Sequence, residues 1–137
     1  MSDTATATLT DFQTATAKTF PWHELYVGDA EAGRRFYTEA LGWGKEDYDM
    51  GQMKYPMLSA NGSAICGVMA TNTPEMKDVP PHWAVYIGVD DVDARLAKCT
   101  GLGAKVVVPP MDVPTVGRMA LIQDPQGAHF WIFKSAN

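Results

Sequence analysis

The sequence is poor in several things. It has two cysteines, three histidines and only 11 Lys and Arg in 137 residues. No apolar run approaches the roughly 18 residues that span a bilayer, so a membrane helix is excluded. The cysteines, Cys66 and Cys99, stand far apart without metal-ligand spacing. They read as small buried apolar residues in a reducing compartment rather than as a disulfide framework. Sixteen Asp and Glu against the 11 basic residues leave a net charge of -5, which disfavours nucleic acid and anionic membranes as partners. The N-terminal segment lacks both a basic start and an apolar stretch, so no secretory signal is expected there, and the expected location is the cytoplasm. Absent too are GxSxG, the P-loop, CxxC, HExxH and the dinucleotide fingerprint. No Ser or Cys stands at a diagnostic spacing from His23, His82 or His129, so nucleophilic triad catalysis has no support.

What is present is the composition of a folded domain: 46% hydrophobic and 20% charged residues, with four Trp and eight Met. Residues 1–19 are Thr- and Ala-rich without a period and read as a flexible tail. Residues 20–136 read as one domain of two modules, about 20–72 and 80–134, joined by a polar, Pro-rich connector over 70–81. Trp22–Val27 reads as a strand, and Asp29 caps a helix over 30–41 that Gly42 ends. Short strands follow at 46–49, 54–58 and 64–69, with Asn61-Gly62 as a hairpin turn. The pattern then starts again. A strand over 82–89 leads to a helix, capped by Asp90 or Asp91, that carries Val92, Leu96, Cys99 and Leu102 inward. Strands follow at 105–108, 118–123 and 130–133, with a turn at Asp124-Pro125-Gln126-Gly127. LYVGD in the first half answers YIGVDD in the second, and LGW answers LGA. The expected fold class is α+β: two βαβββ modules in one chain, forming a half-open eight-stranded sheet with helices on its outer face. Neither module alone buries a sheet face well.

This layout resembles the vicinal oxygen chelate superfamily, which holds glyoxalase, bleomycin-resistance proteins and extradiol dioxygenases. The carrying segments are VGDAEAGRRFYTEALGW, VDDVDARLAKCTGLGAKV and DPQGAHFWI. The resemblance implies a homodimer and a divalent metal held by side chains from the first and last strands of each half. On this sequence those four positions fall at Trp22, Gly67, Ala84 and Trp131. None offers a side-chain lone pair of the kind His, Gln or Glu supplies. The expectation is therefore no metal and no other cofactor. A divalent metal is the alternative, through a displaced site of Glu24, His82 and His129, or through His23 if the strand register slips by one.

Strand alternation gives the expected concave surface: Trp22, Glu24, Tyr26, Tyr55, Met57, Met69, Tyr86, His129 and Trp131, with His82 on the face of Ala84. The ligand-binding residues are expected to be Trp22, Tyr26, Tyr55, Met57, Met69, His82, Tyr86 and Trp131. Aromatic and Met side chains suit a flat hydrophobic or aromatic ligand, and an ionised Glu24 would favour a cationic ring. Filling of the vacated site by the Trp rings themselves is the competing expectation. The expected function is metal-independent binding of a small molecule. The alternative is a lyase, isomerase or dioxygenase, either metal-dependent or metal-free with Glu24 and His129 as catalytic acid and base. Arg118 is expected to pair with Asp124 or Asp112, or to meet a ligand anion.

Overall fold

The structure, a computed structural model, describes residues 18–136. Most of the expected tail, residues 1–17, lies outside them. Its last two residues are tied down: the Lys18 N–H donates to the Gly88 carbonyl, and the Gly88 N–H donates to the Thr19 carbonyl at 2.8 Å. Two compact units are present, Trp22–Ala84 and residues 18–21 with 85–136.

The first unit contains β1 (Trp22–Val27), α1 (Ala30–Leu41), β2 (Gly44–Asp49), β3 (Lys54–Ala60) and β4 (Ser63–Ala70). Its strands lie in the order β2-β3-β4-β1, with β1 parallel to β4 and the other pairs antiparallel. A short 3-10 turn, Pro74–Met76, follows in the connector. β5 (His82–Gly88) leads into the second unit, which contains α2 (Val92–Gly101), β6 (Lys105–Val113), β7 (Gly117–Gln123) and β8 (His129–Ser135). There the order is β5-β8-β7-β6, with β5 parallel to β8 and the rest antiparallel. The α+β class and the repeated βαβββ layout are thus both present, as eight strands and two α-helices among the described residues. Among the described residues no helix is long and apolar enough to cross a membrane.

Local chemistry explains these elements. The Asp29 carboxylate accepts the Ala32 N–H at 3.1 Å, and Asp91, not Asp90, does the same for Ala94 at 3.0 Å. Gly42 takes the left-handed conformation at φ 73° and closes α1. Asn61 and Gly62 both have positive φ, as a tight type I′ hairpin requires. Most strands run one or two residues past their expected ends, and β6 differs most. β6 runs on through Pro109 and Pro110 to Val113 instead of stopping at Val108. It pairs only with β7, and its register shifts on both sides of Val108, so the prolines occupy an edge strand with no ladder bond to lose.

Alternation separates two faces in each unit. Leu25, Leu58, Cys66 and Val68 form a core with Ala30 and Tyr37 of α1. Val92, Ala120, Ile122 and Ile132 form the second, with Leu96 and Cys99. Both cysteines are free, and burial pushes the Cys66 thiol up to about 11. Arg118 pairs with Asp93 at 2.9 Å and Asp112 at 3.1 Å. Asp124 turns instead to the backbone N–H groups of Gln126 and Ala128.

A buried Arg34 ties α1 to the edge of its sheet. It is 6% exposed and donates to Asp47 at 2.9 Å and to the carbonyls of Glu46 and Met57 at 3.1 and 3.3 Å. All six residues of β2 are exposed, so β2 has little apolar burial of its own. Arg34→Met should therefore cost about 3 kcal/mol of stability, since it leaves two carbonyls and the carboxylates of Asp47 and Glu31 without their donor. Urea unfolding measures this, with hydrogen exchange expected to rise first in β2.

Candidate functional site

Because Leu25 and Val27 turn toward α1, Trp22, Glu24 and Tyr26 of β1 must point to the opposite face. Glu24 lies there only 5% exposed. A carboxylate this buried needs hydrogen-bond donors. It has two phenols: the Tyr26 hydroxyl donates to Oε1 at 2.6 Å, and the Tyr55 hydroxyl donates to Oε2. The Trp22 indole N–H donates in turn to the Tyr55 oxygen at 3.3 Å. Burial, and then the neighbouring Glu24 charge, raise the Tyr55 phenol above its usual value, so it stays a donor at physiological pH.

Tyr55 reaches this position by crossing its neighbour strand. Met57, not Tyr55, stands opposite Gly67, and Gly67 stands opposite Glu24 on the other side. The Tyr55 ring leans diagonally over Gly67. A Cβ at Gly67 would lie 1.5 Å from the Tyr55 hydroxyl oxygen and 2.1 Å from Cζ. Only glycine admits this contact. The His82 ring stacks on Tyr26 with centroids 4.8 Å apart and planes within 4°, and its Nδ1–H donates to the Pro80 carbonyl at 2.8 Å. Met57 and Met69 are half-buried and lie at register positions facing Gly67 and Tyr26.

The second unit collects its own aromatics on the face away from α2. Tyr86 and Trp131 stand opposite each other across β5 and β8 and stack at 5.3 Å, with their planes within 6°. Phe133 meets Tyr86 edge-on at 6.2 Å. His129 is exposed at the start of β8, opposite Gln123; nearby, the Ala128 and Gln126 N–H groups hold Asp124 below the usual carboxylate range.

Trp22, Glu24, Tyr26, Tyr55 and His82 are thus brought together in one unit, and Tyr86 with Trp131 in the other. Sequence reasoning did not single out the role of Gly67 as the floor beneath Tyr55, nor Phe133. A glycine within an apolar strand was the available signal for the first.

The metal implied by the resemblance does not fit these residues. Of its four positions, two hold indoles, which donate and do not coordinate, and one holds an alanine. The fourth is Gly67, whose side-chain volume is taken by Tyr55. Among the described residues no group of three His, Cys, Asp or Glu is placed to hold a metal ion.

Comparison with known proteins places this geometry in context. The family model described as Glyoxalase/Bleomycin resistance protein/Dioxygenase superfamily matches residues 19–132. The chain is 37% identical over 119 residues to the Mycobacterium tuberculosis protein named "Putative glyoxylase CFP32", covering 86% of this chain and 44% of that protein. It is 32% identical over 125 residues to the anthracycline biosynthesis protein DnrV of Streptomyces peucetius, covering 82% and 46%. The chain therefore spans about half the length of these relatives. Methylmalonyl-CoA epimerase from Mycobacterium tuberculosis superposes with a TM-score of 0.63 at 18% identity, covering 89% of this chain and 91% of that one, a likeness of fold alone.

The contact over Gly67 makes a specific demand. Gly67→Ala should destabilise the protein by about 2 kcal/mol, because Tyr55 must leave Glu24. In a Tyr55→Ala background the same change should cost markedly less. A double-mutant cycle by chemical unfolding, with coupling of about 1 kcal/mol or more, checks this.

Proposed function

We propose that this chain, which belongs to the Glyoxalase/Bleomycin resistance protein/Dioxygenase superfamily, is a small-molecule binding protein that takes a flat hydrophobic or aromatic ligand without a metal. The observation that carries the reading is the Glu24 cluster. At the place where the family resemblance implies a metal, the chain has a buried carboxylate held by the Tyr26 and Tyr55 hydroxyls, and a glycine whose space Tyr55 fills. The surrounding surface supports the same reading. In the same unit, the Trp22 ring and the thioethers of Met57 and Met69 offer apolar contact, while the phenols supply a few orienting polar atoms.

A second reading is metal-free acid–base catalysis of the lyase or isomerase kind. The burial of Glu24 favours it, since a carboxylate shielded from water is suited to proton transfer. The name glyoxylase of a 37% identical relative agrees with this class. His129, exposed at a strand start, is the weaker candidate for a partner acid or base.

Titration of EDTA-treated protein with planar aromatic compounds, followed by tryptophan fluorescence and melting temperature, tests the binding reading. Saturable quenching and a rise in melting temperature, unchanged by added divalent metal, are expected. Trp22→Ala should weaken binding about tenfold, roughly 1.4 kcal/mol. Binding that appears only with stoichiometric metal would overturn it. Turnover abolished by Glu24→Gln, with binding retained, would select the catalytic reading.

A further inference from the structure

The surroundings of the Tyr55 hydroxyl have the form of a binding site for a phenol. A phenolic hydroxyl has one proton to give and lone pairs to receive on. Here the proton goes to Glu24 Oε2, and the oxygen receives the Trp22 indole N–H at 3.3 Å. Gly67 leaves the floor open, so the ring end of Tyr55 lies where any other residue would place its Cβ. The same carboxylate already accepts a second phenol, from Tyr26. Tyr55 comes from β3, a half-buried side chain that leans across β4 to reach this slot.

We infer that the slot formed by Trp22, Glu24 and Gly67 is a phenol-recognition subsite, that Tyr55 occupies it as an internal surrogate, and that the ligand is a hydroxylated arene that takes the place of Tyr55. This rests on the binding reading above and names its ligand class. Recognition is by the hydroxyl. An arene lacking it would take from Glu24 Oε2 and from the indole N–H the hydroxyl that now serves both, which is how polar sites reject such analogues. Tyr55, tethered to the slot, competes with the free ligand at high effective concentration. Removing only its hydroxyl removes the competitor and leaves the ring and the backbone unchanged.

The consequence separates this role from an ordinary one. If Tyr55 merely supported the fold or contacted the ligand, Tyr55→Phe would weaken binding. If Tyr55 is a surrogate, Tyr55→Phe strengthens it. The probes are 2-naphthol and its hydroxyl-free counterpart 2-methylnaphthalene, titrated at neutral pH into wild-type, Tyr55→Phe and Glu24→Gln protein, with circular dichroism confirming the fold of each.

The wild type should prefer 2-naphthol by about tenfold or more. Tyr55→Phe should tighten 2-naphthol by about a further tenfold and leave 2-methylnaphthalene within about twofold. Glu24→Gln should abolish most of the preference. Equal affinity for the two probes, or weaker 2-naphthol binding in Tyr55→Phe, overturns the inference and leaves the aromatic-binding reading standing. Failure of both probes to bind all three proteins counts against both.

Discussion

A buried carboxylate without partners would be among the most costly groups a domain of this size could contain. Glu24 avoids that cost through the hydroxyls of Tyr26 and Tyr55, and the rest of the site follows from this requirement. Tyr55 must cross a strand to arrive, so Gly67 must be a glycine. The Trp22 indole then finds its acceptor on the Tyr55 oxygen, and the Tyr26 ring offers its face to His82. Five side chains and one missing side chain form a connected unit in which each element explains its neighbour.

The two halves of the chain share a plan and differ in chemistry. Each pairs its first and last strands in parallel and packs a helix on one face through a small apolar core. On the opposite face the first unit carries a polar network around one carboxylate. The second carries stacked rings, Tyr86 on Trp131 with Phe133 at the edge. A repeat that keeps its core while the opposite faces diverge is the expected product of a fold in which stability and chemistry reside on opposite sides of each unit's strands. Membership in the superfamily therefore accounts for the architecture. The chemistry has to be argued from Glu24 and its neighbours.

Much of the fold was legible in the sequence. Local physics operates over a few residues: Asp29 and Gly42 mark the ends of α1, Asn61-Gly62 turns the hairpin, and alternation in WHELYV assigns the faces of β1. The extension of β6 through two prolines was not legible, because it depends on β6 being an edge strand, and edge position is a property of the assembled sheet. The partner of Arg118 was half legible. Asp112 stands opposite on the neighbouring strand, whereas Asp93 comes from α2, and only packing brings that helix within reach.

For the site, the sequence by itself determined which residue types share a face and that the positions implied for a metal carry no suitable donors. Those statements need only the period of a strand and the chemistry of side chains. It also determined the supply of phenols, indoles and thioethers. Tertiary structure alone decided that the Tyr55 hydroxyl reaches Glu24, that Gly67 is its floor, and that His82 lies flat on Tyr26. Each of these contacts joins residues from different strands. Their distance is set by strand register and by how far a ring can lean, quantities that local sequence does not encode.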